Sequence, residues 1–330
     1  MVESLNFLIC EGLTFFNLGE LDKAVLCFEK VLQIDHKNII ANALLGDIGT
    51  EKYSSGESVN YFQRALLTDP YNSLECYARG IALGNLGDNH EAYSCYERYI
   101  DEDNLKLSAL HLAAKHGQKD LVRSLLNRGA DVNVLDEDAN TPLYWASYRG
   151  YCEVIRVLVE FNADLEPINR LGNAPMHLAA YGSHLESVKL LIEFGASIEV
   201  RSKRKNTPLH VVSWHGRYRM AELLLEIGAN VEARMENGGT PLHRAALNAQ
   251  TELGYLLLNQ GAEIDSTDDV GRTALHRAAL NGHADFVRLL LSRNASTNIK
   301  DKEGFLPLDK AKVGGHEEIV QIIRKDIGEL

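Results

Sequence analysis

Twelve histidines and five cysteines are the residues of this 330-residue chain whose types could carry chemistry. Five of the histidines share one slot: His111, His177, His210, His243 and His276 each close a four-residue pattern of the form Thr-Pro-Leu-His. An imidazole there could bind a metal or move a proton, because it titrates near neutral pH. Either task needs a second group at the right spacing. His111 with His116, and His210 with His215, are five residues apart, not the four that put two histidines on one helix face. Cys10, Cys27, Cys76, Cys95 and Cys152 show no Cys-x-x-Cys spacing; they are expected to be small buried apolar residues in a reducing compartment. The chain contains no Gly-x-x-x-x-Gly-Lys, no Gly-x-Ser-x-Gly and no His-Glu-x-x-His, so phosphate-loop, nucleophile-elbow and zinc-peptidase chemistry have no carrier. The expectation is no catalytic residue, no metal and no cofactor. The slot histidines are expected instead to tie neighbouring segments together by hydrogen bonds.

The elements that position these residues recur at 33-residue intervals. Ser108-Ala-Leu-His111, Thr141-Pro-Leu-Tyr144, Ala174-Pro-Met-His177, Thr207-Pro-Leu-His210, Thr240-Pro-Leu-His243, Thr273-Ala-Leu-His276 and Leu306-Pro-Leu-Asp309 follow one another without a slip. A fixed period of this length marks a solenoid, in which each repeat buries its apolar face only against its neighbours. Within residues 136 to 168, Thr141 can cap a helix whose first turn accepts Pro142. That helix runs to Gly150, and a second, from Glu153 to Glu160, buries Val154, Ile155, Leu158 and Val159. Gly-Ala-Asp or similar turns (Gly129, Gly228, Gly261) return the chain. Length and signature resemble the ankyrin repeat. The resemblance implies seven repeats over 105–330, at 105–137, 138–170, 171–203, 204–236, 237–269, 270–302 and 303–330, joined by short β-hairpin turns.

Residues 1–104 repeat with a different period. Gly12, Gly46 and Gly80 are 34 apart, and Ala24, Ser58 and Ala92, then Phe28, Phe62 and Tyr96, keep the same register. Helical hairpins at about 5–38, 39–72 and 73–106 follow, in which a glycine on one helix admits an aromatic from the other. This stretch resembles tetratricopeptide repeats. At the positions where chaperone-cofactor relatives carry a carboxylate clamp, this chain has Ile9, Leu13, Leu44, Leu74 and Ala78, so that activity does not carry over. Ile9, Leu13, Phe16, Ile40, Leu74, Tyr77 and Ile81 either line an apolar concave groove or are simply core. No linker separates the two arrays. The fold class is therefore all-α, an α-α solenoid continuing from one repeat type into the other, with the last tetratricopeptide-like helix on the first ankyrin-like pair.

Charge narrows the partners. Forty-six acids against 34 bases give a net charge of -12, of which residues 1–106 contribute -9. That balance argues against nucleic acid or an anionic membrane surface. The N-terminus lacks a basic n-region, and no apolar run approaches a membrane span, so a cytoplasmic monomer is expected. Ankyrin-like arrays bind through hairpin tips and the inner face of the first helix. That inner slot reads Lys115, Tyr148, Tyr181, Trp214, Leu247, Leu280 and Val313. Tyr148, Tyr181 and Trp214, with Trp145, Arg149 and His215 beside them and the tip bases Arg170, Arg201, Lys203, Arg204 and Lys205, form the expected protein-binding surface, since Tyr, Trp and Arg anchor interfaces. The functional expectation is a non-enzymatic interaction scaffold. The alternatives are an inhibitor or substrate adaptor, or a secreted effector acting on a signalling or host protein.

Overall fold

The computed structural model describes residues 2–52, 55–103 and 107–329. Over these residues the chain is all helical, with paired antiparallel helices throughout and no strand. It divides into two compact units, Met1–Asp164 and Leu165–Leu330. The expected boundary between the two repeat types, at 104/105, lies outside the described residues.

The first unit opens with three long hairpins: α1 (Val2–Asn17) with α2 (Leu21–Ile34), α3 (Ile39–Lys52) with α4 (Ser55–Ala65), and α5 (Ser73–Leu86) with α6 (Asn89–Asp103). Each closes on the glycine–aromatic contact that the 34-residue register predicts. A Cβ placed on Gly12, Gly46 or Gly80 would lie 2.6, 2.5 or 2.6 Å from the ring of Phe28, Phe62 or Tyr96. No side chain fits there, so helix crossing and aromatic position are fixed together.

Shorter pairs follow: α7 (Ala109–Lys115) with α8 (Lys119–Asn127), and α9 (Pro142–Arg149) with α10 (Cys152–Glu160). Helix α6 packs on both α7 and α8. The seven apolar positions considered for a concave groove go mostly to the core. Ile9, Phe16, Ile40, Tyr77 and Ile81 are buried, Phe16 and Tyr77 against His116 of the following array.

The second unit contains α11 (Pro175–Tyr181), α12 (Leu185–Glu193), α13 (Pro208–His215), α14 (Tyr218–Glu226), α15 (Pro241–Leu247), α16 (Thr251–Asn259), α17 (Ala274–Leu280), α18 (Ala284–Ser292), α19 (Pro307–Val313) and α20 (Glu317–Asp326). The inner row α11, α13, α15, α17, α19 stacks in order, and the outer helices α14, α16, α18, α20 stack behind it. Threonine starts the inner helices as expected: Thr207 and Thr273 accept the backbone N–H of His210 and His276. The return turn needs positive φ. Gly228 adopts 99°, whereas Asn162 in the first unit, which lacks the glycine, adopts 62°.

The turns between repeats are not the β-hairpins expected from the sequence. Successive tips share single backbone bonds, Lys203 N–H to Gly172 O, Glu236 to Arg204, Asp269 to Asn237 and Lys302 to Val270, at 2.8 to 3.0 Å. One bond per tip cannot make a strand pair. Side chains supply the rest: Glu166, Glu199, Glu232 and Asp265 each accept a backbone N–H 31 residues further on. In the first unit Asn133 does the same for Asp164, at 2.9 Å.

The slot histidines bridge repeats. Nδ1 accepts its own cap residue's N–H, which leaves the proton on Nε2 to reach a carbonyl 29 residues on. His177 meets Asn206 O at 2.9 Å, His210 meets Gly239 O at 3.2 Å, His243 meets Arg272 O at 2.8 Å and His276 meets Phe305 O at 3.1 Å. In the first unit His111 meets Asn140 O at 3.0 Å. Burial lowers the pKa of all five, for His210 to about 4. Among the cysteines, Cys27 and Cys76 are buried as expected and Cys10 is exposed. Cys10 faces outward on α1, so a small apolar core role does not fit it.

Candidate protein-binding site

The inner slot is not buried at any of its seven positions. What lies over it differs between the two units, and each is described by itself.

In the first unit the expected anchors Trp145, Tyr148 and Arg149 stand on α9. Trp145 donates its indole N–H to Asp136 Oδ2 at 3.0 Å, and Lys115 of α7 places its ammonium 5.0 Å from the ring centre. Partial burial first, then the nearby Arg149, bring the Lys115 ammonium down to about 8. Tyr148 sets its ring edge-on to Trp145. Its hydroxyl reaches the α1–α2 turn, where a Cβ on Gly19 would lie 3.3 Å away.

Arg149 was expected at the partner surface, and the structure corrects this. It is buried, with its guanidinium 4.2 Å from the centre of the Phe16 ring and 3.9 Å from Asp47. A guanidinium that far inside needs a carboxylate and an aromatic face, and α3 and α1 provide them. Beside it runs a buried relay that the sequence did not disclose. Tyr77 donates to His116 Nε2 at 2.7 Å, and His116 Nδ1 meets Asp47 Oδ2 at 2.8 Å. The order of groups is that of a proton relay, but all three are buried, so no substrate atom can approach. Burial lowers the His116 pKa against the pull of Asp47, and burial raises that of Tyr77. The relay holds α3, α5 and α7 together. Its members are 39 and 69 residues apart, and no spacing rule joins them.

In the second unit Tyr181 and Trp214 occupy the same slot on the packed helices α11 and α13. Both are partly exposed. His215 sits edge-on to Tyr181 with ring centres 4.7 Å apart, and Arg217 approaches the same ring at 5.8 Å. Arg244 of α15 lies 4.6 Å from the centre of the Trp214 ring and donates to Asn206 Oδ1 at 3.1 Å. His215 is exposed, and partial burial with Arg217 and Arg244 nearby lowers its pKa. Thus Tyr181 touches His215, and Trp214 precedes His215 on the same helix. Arg217 and Arg244 join them unannounced. Arg244 was legible in one respect: it follows the slot histidine directly, as Arg277 and Lys310 follow theirs or its equivalent.

The tip bases divide. Arg170, Lys203, Arg204 and Lys205 are exposed. Arg201 is exposed too, but its guanidinium binds Lys205 O at 3.0 Å and Arg234 O at 2.8 Å, which makes it a clamp between tips. Arg234 repeats that clamp on Gly238 O and Thr267 O. Among the described residues no group of three or more His, Cys, Asp or Glu could hold a metal ion. No helix of the described residues is long and apolar enough to cross a membrane.

Stacked helix pairs with histidine bridges, Thr-Pro caps and a side-exposed inner slot define a helical repeat protein of the interaction-module type. The family model for ankyrin repeats matches residues 88–169, 162–235, 177–268 and 242–329, and the chain belongs to that family. A tetratricopeptide repeat model matches residues 11–38. A fowlpox virus (strain NVSL) protein, FPV230, whose name describes it as an ankyrin repeat protein, is 39% identical over 54 residues. That stretch covers 14% of this chain and 29% of the fowlpox protein.

Proposed function

We propose that the protein is a non-enzymatic scaffold that grips a protein partner on the inner face of its ankyrin array, around Tyr181, Trp214 and His215. The observation that carries this reading is the pair Tyr181 and Trp214: two large rings in successive repeats, partly exposed, in a slot where packing asks for no ring. A side chain that leaves its own core and stays partly wet can offer its exposed part to a partner, and Tyr and Trp give the most contact for the least lost conformational freedom. The exposed bases Arg170, Lys203, Arg204 and Lys205 border this face and would steer association. The tetratricopeptide-like hairpins act in this reading as a cap on the array, since their inner apolar residues are spent on the core. The chain works as a monomer in the cytoplasm.

Affinity purification of the wild type beside Trp214→Ala, with identification of what the variant loses, tests the proposal. A partner that depends on Trp214 supports it. A partner set unchanged by Trp214→Ala and by Tyr181→Ala, with both variants folded, moves the binding surface elsewhere.

A further inference from the structure

One position of the array shows what the partner must bring. The residue after the slot histidine, or its equivalent, faces the residue nine places earlier, at the start of the preceding tip turn. In the last two repeats this pair is basic and acidic: Arg277 with Asp268, and Lys310 with Asp301 at 2.7 Å. The tip turn is the same in each case, closed by a backbone bond from residue i to i+4: Asp268 to Arg272, Asp301 to Phe305, Met235 to Gly239. In the repeat of Arg244 the acidic position is Met235. Arg244 accordingly makes no ion pair among the described residues, and its Nε is buried without a hydrogen-bond partner. Among the described residues the one hydrogen bond of its guanidinium goes to the amide oxygen of Asn206. The other charges that bear on it are also positive, Arg204 and Arg277, and with burial they depress its pKa. A half-buried guanidinium flanked by cations and stacked on a tryptophan is held at a cost unless an anion arrives.

We infer that Arg244, with the Trp214 ring beside it, receives a carboxylate from an acidic segment of the partner protein. This rests on the reading above and specifies its chemistry. A guanidinium donates a fork of two hydrogen bonds to a carboxylate, and the adjacent ring covers the aliphatic stem of that acid. Protein rather than nucleic acid fits the surroundings, because the chain carries a net charge of -12 and a polyanion needs a long basic track.

The test uses the full chain with Trp145→Phe, which leaves Trp214 as the reporter of fluorescence. The probes are a peptide of about twelve residues with repeating Glu-Glu-Leu and its Gln-Gln-Leu counterpart. The acidic peptide should shift Trp214 emission and bind at least about tenfold tighter than the neutral one, and should weaken as salt rises. Arg244→Gln should cost about tenfold in affinity, while Arg277→Gln, whose charge is already matched, costs less than about threefold. Met235→Asp restores the missing carboxylate and should reproduce the loss without harming the fold. Equal binding of both peptides, an acidic peptide indifferent to Arg244→Gln and Met235→Asp, or tighter binding of a short RNA would overturn the inference. The two readings fail separately. A cellular partner lost with Trp214→Ala but kept by Arg244→Gln sinks the acidic segment alone; one kept by Trp214→Ala sinks the groove.

Discussion

Tyr148 and Trp214 occupy one slot of the repeat, two periods apart, both partly exposed, and meet different neighbours. In the first unit the N-terminal hairpins close on the inner helices: Phe16 lies under Arg149, the turn at Gly19 approaches the Tyr148 hydroxyl, and Asp47 holds His116. In the second unit Tyr181 and Trp214 have His215, Arg217 and Arg244 around them and remain partly exposed. The slot decides only that a side chain leaves its own repeat. What it then meets depends on what another part of the chain brings to it. Where acids and aromatics arrive from α1, α3 and α5, the basic inner residues become structural. In the second unit Arg244 lacks the acid that its repeat would normally supply.

The comparison breaks most visibly at Asp47. Asp47→Ala leaves His116 and Arg149 buried without their carboxylate, and the first unit should lose on the order of 3–5 kcal/mol in denaturant unfolding. Arg244→Ala, by contrast, should leave stability within about 1 kcal/mol of wild type. If the two substitutions cost the same, the division into a closed and an open inner face is wrong.

Next in size is an effect of pH common to both units. The five bridging histidines have folded-state pKa values below the ordinary 6.5, to about 4 for His210. The unfolded chain takes up these protons first, so stability is full above about pH 6.5 and falls as pH drops through the folded values. His210 alone corresponds to roughly 3 kcal/mol between pH 7 and pH 4. Denaturation midpoints should decline steadily over that range. A flat profile, or a rise on acidification, would mean that the bridges form with protonated rings.

A smaller effect tests the glycine–aromatic packing inside the N-terminal hairpins. Gly80→Ala drives a methyl into the Tyr96 ring, and about 1–3 kcal/mol should be lost in thermal unfolding. The same change at Gly56, where a Cβ meets nothing within 4 Å, should stabilise the chain slightly or leave it unaffected.

Periodicity made the architecture legible because each repeat writes the same demands at the same interval. Threonine and proline start a helix, glycine ends one, and a glycine opposite an aromatic sets a crossing. The histidine bridges were legible for the same reason. The Tyr77–His116–Asp47 relay and the burial of Arg149 were not, because they join residues of different repeat types at separations that no period contains. Arg201 misled in another way: a base at an exposed tip reads as a partner contact, but its reach to the carbonyl of Arg234 becomes visible only when consecutive tips stand side by side. Arg244 could have been found in the sequence by aligning repeats and asking which base had lost its aspartate.

The measurement that bears most directly on the account is the partner affinity of Trp214→Ala against that of Trp145→Ala, with unfolding followed for both. The open-face reading predicts that Trp214→Ala weakens binding by at least about thirtyfold, as an anchor contributing ~2 kcal/mol should, while the fold is kept. Trp145→Ala should change affinity less than about threefold and destabilise the first unit through its lost bond to Asp136. Comparable affinity losses in both variants, or the larger loss at Trp145, would contradict the claim that the second unit carries the partner.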